Sequence, residues 1–354
     1  MAQVRMLAWN IEVYGPNKYG NVPNNARVVQ FIAQTAVQQN ANVVVLMELS
    51  NSVAQQICFS VSDEIATLSG NAWSYAQIPA RPNGDRESYG ILWQSAGANF
   101  AITTNGAGAQ NIALSTVDFP NNFSVTHGRR AALATFRTTD TAVNFTVSVY
   151  HAPPNAYATV GLEQVAKTPQ LYNVDNGGAV QAVTGRLLGG DYNLDVNTVP
   201  EYSWLTNPVP VPPPPTAPGQ GAGTVAITTA LTHFGSMAAA VALWGNNLAN
   251  WSANPVQYRD LQLDNIFWAS PSGAPAPAGG VVDVVQSVMT PGNPLRAIAQ
   301  TFTLVNPNTN NPAFPFAFSI PLPLNVNLSF AACAWMLVRY GVSDHLPVLN
   351  VVTI

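Results

Sequence analysis

Charge is what this sequence has least of. Of 354 residues only 13 are Lys or Arg and 17 are Asp or Glu, 8% in all, against about 25% in average soluble domains. A surface with so few charges has to be carried by Asn, Gln, Ser and Thr, a composition that leans toward exported proteins. The formal net charge of −4 argues against broad electrostatic capture of a polyanion, yet leaves room for a local arginine cluster that grips one phosphate. Cysteine is nearly absent. Cys58 and Cys333, the only two, lie far apart and lack the C-x-x-C spacing of a metal-ligand pair, so two buried thiols are expected rather than a disulfide. Long apolar runs are missing too: no segment approaches the roughly 18 uninterrupted apolar residues that a membrane-spanning helix needs. The opening MAQVRMLAWNIEVYG has no basic stretch followed by an apolar one of signal-peptide length, and it reads as a strand from about Val4. The expectation is a cytoplasmic chain, or one whose leader has been removed or is of another type.

What the chain does have is apolar residues, 47% of the total, enough to build the core of one large domain or two ordinary ones. Short apolar runs read as buried strands at 43–49, 89–94, 131–138, 145–152, 186–193, 262–269 and 347–354. Between them, residues 26–40 place Val28, Val29, Ile32, Ala33, Ala36 and Val37 on one helical face. Residues 51–70, with a glycine stop, and 159–173 are two further helix candidates. The mixture suggests sheets with helices packed on their outer faces, an α/β class. Proline is plentiful, 28 residues, and it concentrates at 207–223, 270–280 and 306–327. These stretches interrupt the strand pattern rather than end it. They are read as long insertions, near 206–224 and 270–330, in a single domain spanning 1–354, with a domain boundary near residue 215 as the alternative.

Because acids are scarce, their placement is informative. Asn10 lies at the tip of the first strand, Glu48 ends the second, His151 ends another in YHAPP, and Asp191 and Asn193 end a fourth in GGDYN. Asp344 and His345 stand side by side in SDHLPV, just ahead of the last strand. A carboxylate at the end of a buried strand costs several kcal/mol unless paired. Oxygen ligands of this kind suit Mg²⁺, Mn²⁺ or Ca²⁺ rather than zinc. Each residue alone has an ordinary explanation: a solvated acid, a satisfied core histidine, or an Asx turn at Gly-Gly-Asp-Tyr-Asn. All of these would have to hold independently, and in order, for the site to be illusory.

Taken in order, WNI, VVVLMEL, RESYGILW, VYHAPP, GGDYNLD, LDNIFW and SDHLPV resemble the endonuclease/exonuclease/phosphatase superfamily over nearly the whole chain. The Glu of RESYGILW makes the deoxyribonuclease branch the most similar, the branch of pancreatic-type deoxyribonuclease and the catalytic subunit of cytolethal distending toxins. The resemblance implies a four-layered α/β sandwich, two mixed β-sheets packed face to face with helices outside. It also implies a metal-dependent phosphodiesterase or phosphatase site. Asn10 and Glu48 match metal ligands, with Asp344 close to the same ion, which would be Mg²⁺, or Mn²⁺ or Ca²⁺. Asp191 and Asn193 match the pair that holds the phosphate. His151 matches an imidazole facing the scissile phosphate, with Glu87 as its carboxylate partner; His345 matches the second, with Asp264 as its partner. Arg129 matches an arginine that contacts a substrate phosphate.

Departures bear on the substrate. Met47 stands where the branch usually has Gln, Ser50 where the pancreatic enzymes place a minor-groove arginine, and Asp85 where they have Tyr. Arg81, Arg86, Arg129 and Arg130 remain as a candidate phosphate-binding rim. The first reading is a DNA endonuclease whose partner is nucleic acid. The second is a phosphodiesterase or phosphatase acting on phospholipid or inositol phosphates, with the apolar segment 312–324 touching a membrane. The third is a toxin-assembly or binding subunit that docks a protein through its Pro-rich insertions. A monomer is expected in each case.

Overall fold

The computed structural model describes residues 1–14, 24–81, 86–115, 128–153, 157–194, 205, 225–228, 232–234, 259–269, 278–302 and 330–354. In chain order these form β1 (Gln3–Tyr14), α1 (Asn24–Gln38), β2 (Val43–Ser50), α2 (Ala54–Ser69), β3 (Trp73–Pro79), β4 (Glu87–Gln94), β5 (Phe100–Ile102), β6 (Ile112–Leu114), β7 (Ala132–Thr138) and β8 (Asn144–His151). They continue with α3 (Tyr157–Ala166), β9 (Asn173–Asn176), β10 (Ala179–Ala182), β11 (Gly185–Asp191), β12 (Val225–Ala226), β13 (His233–Phe234), β14 (Arg259–Leu261) and β15 (Asp264–Ala269). The last elements are β16 (Ala278–Val281), α4 (Val284–Met289), α5 (Pro294–Ala299), α6 (Phe330–Gly341) and β17 (Val348–Thr353).

Two open sheets carry the fold. One has six strands in the order β16-β17-β1-β2-β4-β3; the other has seven, β12-β15-β11-β8-β7-β5 with β6 also on β7. Both are mixed: β1 runs parallel to β2 and β8 parallel to β11, while β17, β4 and β15 are antiparallel to their neighbours. Strands from both sides of residue 215 share each sheet.

The alternation of side chains along β1 sorts the layers, because successive residues of a strand face opposite ways. Val4, Met6 and Ala8 enter the core between the sheets, where they meet Phe136, Phe145, Val147 and Leu187. Leu7, Trp9 and Ile11 face outward into a second core that α1, α2 and α4 to α6 close with Phe31, Ile57, Val285 and Trp335. On the far side Leu162 of α3 packs with Tyr150, Leu188 and Phe267. The result is helix, sheet, sheet, helix: the four layers expected. The sheets approach closely at Gly189, for a Cβ there would lie 2.5 Å from Met6 Cε and 2.9 Å from Ala8 Cβ.

The strands expected from the apolar runs form with boundaries moved by one or two residues. The helix expected at 51–70 ends as proposed on Gly70, which takes the left-handed conformation at φ 71° and returns its N–H to Ala66 O. Two expectations need correction. The helix read over 159–173 stops at Ala166; Pro169 opens a separate 3₁₀ turn, Pro169–Leu171, and Asn173 begins β9, because proline has no N–H to continue a helix. The insertion read over 270–330 is too long. Within it β16 pairs with β17, and Val284, Val285, Val288 and Leu295 of α4 and α5 are core residues. These elements are short and framed by proline and glycine, which hid their apolar face. The Pro-rich stretch at 206–224 lies outside the described residues, as does all of 303–329.

Candidate active site

Strand direction explains why residues scattered from 10 to 345 meet. β1, β2, β8 and β11 all end at one edge of the sandwich, and the antiparallel β4, β15 and β17 all start there. Register then fixes neighbours: Asp191 lies beside His151 on one flank and Asp264 on the other. The ends of β1 and β2 are not regular. Their pairing shifts register between Asn10 and Tyr14, and that of β2 with β4 between Leu46 and Leu49. Glu12 and Glu48 adopt positive φ of 43° and 58° there, and Asn193 one of 51°. A bulge of this sort re-aims a side chain, and non-glycine residues in the left-handed region cost on the order of 1–3 kcal/mol each. Three of them gather around one group of acids.

His151 Nδ1 donates to Glu87 Oε1 over 2.6 Å, while the other Glu87 oxygen lies 2.8 Å from Arg129 Nε. The His151 N–H donates to the Tyr89 hydroxyl. Burial works against the charged form of Glu87, but His151 and Arg129 outweigh it and hold the carboxyl below its usual range. Burial likewise opposes the His151 imidazolium, and Glu87 outweighs it, so the pKa rises. Arg129, expected on a substrate phosphate, is placed first as the partner of Glu87, and its Nη1 donates to Ala152 O. Arg130 donates to Ser115 O.

The second imidazole is built the same way. His345 Nδ1 meets Asp264 Oδ2 at 2.7 Å. Burial opposes its charge, yet Asp264 and Asp191 hold its pKa well above the histidine range. Its loop is tied to the end of β1: Ser343 Oγ donates to Asn10 O, the His345 N–H donates to Ser343 Oγ, and Trp9 Nε1 donates to His345 O. Both ring Nε2 atoms point at one oxygen, Asp191 Oδ2, from 3.9 Å for His151 and 3.6 Å for His345. Asp191 itself is buried, and its N–H donates to Met47 Sδ. The methionine in place of glutamine thus supports the acid. The two histidines and Asn10 outweigh burial and keep the Asp191 carboxyl below its usual range.

Asn10 sits between the acids. Its Nδ2 donates to Glu48 Oε1 at 3.0 Å and to Asp191 Oδ2 at 2.9 Å, while its Oδ1 accepts the Glu12 N–H. It therefore presents its nitrogen, rather than its oxygen, to the carboxylates. Asn193 Nδ2 donates to Ala152 O, and its N–H donates to Asp191 Oδ1, so it ties the end of β8 to that of β11. Asp344 lies between Arg339 and His345. Its Oδ2 lies 3.1 Å from Arg339 Nη1 and its Oδ1 3.4 Å from His345 Nε2, so the neighbouring acid and imidazole converge.

A divalent cation fits this edge. Glu48, His151 and Asp191 each offer a ligand atom, all within 4.8 Å of one another. The oxygens of Glu48 and Asp191 are the hard donors that Mg²⁺ or Mn²⁺ takes, and buried Asp264 Oδ1 and Asp344 Oδ1 are carboxylate oxygens with no hydrogen-bond donor.

No protein-family model matches the chain, and no curated protein matches it by sequence. Solved structures do. An endonuclease/exonuclease/phosphatase family protein from Bacteroides thetaiotaomicron matches with a TM-score of 0.54 at 13% identity, over 99% of this chain and 97% of that one. A mannosyl-6-phosphatase from the same organism matches with a TM-score of 0.53 at 11% identity, over 99% and 100%. An endonuclease/exonuclease/phosphatase from Bacteroides vulgatus matches with a TM-score of 0.50 at 11% identity, over all of both chains. The chain has the endonuclease/exonuclease/phosphatase fold. On this example of that fold the candidate edge holds residues that the sequence pattern did not single out. His233 of β13 bridges His345, its ring edge-on to the His345 ring at 4.9 Å, and its Nε2 lies 3.6 Å from Asp344 Oδ2. Arg339 of α6 links Asp344 to Glu12. His233 stands in a two-residue strand, too short for periodicity to mark it. Histidine scarcity was the usable signal: three of the chain's four stand at this edge.

Proposed function

We propose that this protein is a divalent-metal-dependent phosphoester hydrolase, and that it acts as a DNA endonuclease. One observation supports the hydrolase reading above the rest. Two imidazoles, each held at Nδ1 by a carboxylate, present Nε2 to the same point at Asp191 Oδ2. Phosphodiester hydrolysis needs a proton acceptor for the attacking water, a proton donor for the leaving oxygen, and positive charge on the nonbridging oxygens. Glu48 and Asp191, bridged by Asn10, are the residues that would hold Mg²⁺ or Mn²⁺. Bound there, such an ion supplies that positive charge and makes a nearby water more acidic.

The two histidines divide the remaining work by environment. Asp264, Asp191 and Asp344 all favour the His345 imidazolium, which suits it to give a proton to the leaving oxygen. His151 is also raised, but Arg129 works against its charge, so it gives up its proton more readily and serves as the acceptor. Glu87 and Asp264 orient the rings and fix the proton on Nδ1. DNA is preferred as substrate because the Glu87 and His151 pair, through which the sequence resembles the deoxyribonuclease branch, is closed at 2.6 Å. The phospholipid reading drew on residues 312–324, which lie outside the described residues.

The test is a substrate panel with and without EDTA: supercoiled plasmid, bis(p-nitrophenyl) phosphate, p-nitrophenyl phosphate and phospholipid vesicles. Metal-dependent plasmid nicking that His345→Ala abolishes supports the endonuclease. Turnover of the monoester or the vesicles without nicking would leave the hydrolase and reject DNA.

A further inference from the structure

The acid and imidazole groups at this edge fall into two sets of different chemistry. Glu48 and Asp191 are hard oxygen donors. His233, Asp344 and His345 supply one carboxylate and two imidazoles, each offering a ligand atom within 4.8 Å of the others. We propose that His233, Asp344 and His345 form a second cation site, selective for a borderline transition metal of the zinc class. An ion seated there takes His345 out of the reaction.

Geometry favours a metal. At Zn–N and Zn–O bonds of about 2.0–2.2 Å, tetrahedral ligand atoms stand roughly 3.3–3.6 Å apart. The structure has 3.4 Å from His345 Nε2 to Asp344 Oδ1 and 3.6 Å from His233 Nε2 to the other carboxylate oxygen, Oδ2, so each ring is near one oxygen at this spacing, and one ligand atom of each residue lies within 4.8 Å of the others. Asp344 Oδ1 is buried and accepts no hydrogen bond. Asp264 binds His345 at Nδ1, which leaves Nε2 as the ring's metal-facing nitrogen, the carboxylate–histidine–metal arrangement that orients a ligand ring. β13 fixes the third ligand: the backbone bridge of His233 to His345 and the Phe234 N–H to Asp344 O hold the two loops in register.

Charge does not forbid it. Asp191, Asp264 and Asp344 all lie within reach of His345, and Arg339, the one guanidinium on Asp344 among the described residues, is shared with Glu12. Two imidazoles raise affinity for Zn²⁺ and Co²⁺ over Mg²⁺, Mn²⁺ and Ca²⁺, which prefer oxygen. Occupancy and reaction compete because both use His345 Nε2. Only this inhibitory consequence rests on the proposed hydrolase activity; the binding does not.

The experiment uses the full chain stripped with EDTA. Co²⁺ is added and its visible absorption recorded, and Zn²⁺ affinity is measured by equilibrium dialysis against excess Mg²⁺. Wild type is compared with His233→Ala, Glu48→Gln and His233→Phe, the last of which keeps the edge-on ring packing without Nε2. We expect an imidazole-ligated Co²⁺ spectrum in wild type and in Glu48→Gln. Both His233 variants should weaken Zn²⁺ and Co²⁺ at least about tenfold, with the Zn²⁺ concentration for half-inhibition rising in step. Unchanged Zn²⁺ affinity in a folded His233→Phe overturns the site. So does loss of the Co²⁺ spectrum in Glu48→Gln, which would mean one mixed site. Tight Zn²⁺ binding by a protein that hydrolyses nothing would keep the site and reject the hydrolase.

Discussion

Replacing Glu87 with Gln keeps the side chain's shape but leaves it one carbonyl oxygen for two cationic donors. In the structure Oε1 faces His151 Nδ1 at 2.6 Å and Oε2 faces Arg129 Nε at 2.8 Å. If the amide oxygen turns to His151, its NH₂ group confronts Arg129; if it turns to Arg129, the imidazole loses its anchor. A charged donor left without an acceptor costs about 1–3 kcal/mol, and breaking a fully buried ion pair about 3–5 kcal/mol. Glu87 and Arg129 side chains retain 15% and 18% exposure, so water replaces part of the loss, and roughly 2–3 kcal/mol of destabilisation is expected. The catalytic effect is larger. His151 loses both the orientation of its ring and the charge that raises its pKa, and kcat should fall by about 10²–10⁴. The ionisation of His151 should also move to lower pH, since the group that stabilised its proton is gone. Thermal denaturation at pH 7 and a pH–rate profile on bis(p-nitrophenyl) phosphate read both effects. A Glu87→Gln protein with an unchanged Tm and a kcat within a factor of about two of wild type would refute the role given to this pair.

Gly189→Val should lower stability by about 1–3 kcal/mol through overpacking, because even a Cβ would fall 2.5 Å from Met6 Cε; urea denaturation checks it. Cys58 is buried, and its thiol is pushed up to about 12, so peptide mapping should find it unalkylated at pH 8 in native protein and alkylated in urea. Without metal, acid should destabilise the fold through Glu87 and Asp344, both held below the usual carboxylate range, Asp344 by His233, His345 and Arg339 against burial. Groups with depressed folded pKa values stabilise above their unfolded pKa, about 3.9–4.3, and that contribution is lost as pH falls through the folded value. Tm measured in EDTA should therefore fall below about pH 5, less steeply in Asp344→Asn.

How much of this was legible beforehand depended on what each residue's neighbours in sequence could say. Glu48, His151, Asp191 and Asp264 sit where apolar period-two runs stop or start, so strand polarity alone could bring them to one edge. The pairing of His151 with Glu87 and of His345 with Asp264 entered through the resemblance, and the structure has each pair in hydrogen-bond range. Local pattern could not show the bulges at Asn10 and Glu48, which are a matter of pairing between strands. Nor could it show that Asp344 turns to Arg339, a residue on a helix that the sequence reading passed over. α4 and α5 were missed because six residues each are too few for helical periodicity to stand out against flanking proline and glycine.

In the proposed reaction Glu48, Asp191 and the two carboxylate-held histidines hydrolyse phosphodiesters with a divalent metal. The most direct measurement is turnover of bis(p-nitrophenyl) phosphate by EDTA-stripped protein titrated with Mg²⁺ or Mn²⁺, for wild type, Asp191→Asn and His345→Ala. Metal should restore hydrolysis in wild type, while both variants should stay at least about 10²-fold slower at saturating metal. Hydrolysis that ignores EDTA, or that survives intact in a folded His345→Ala protein, would contradict it.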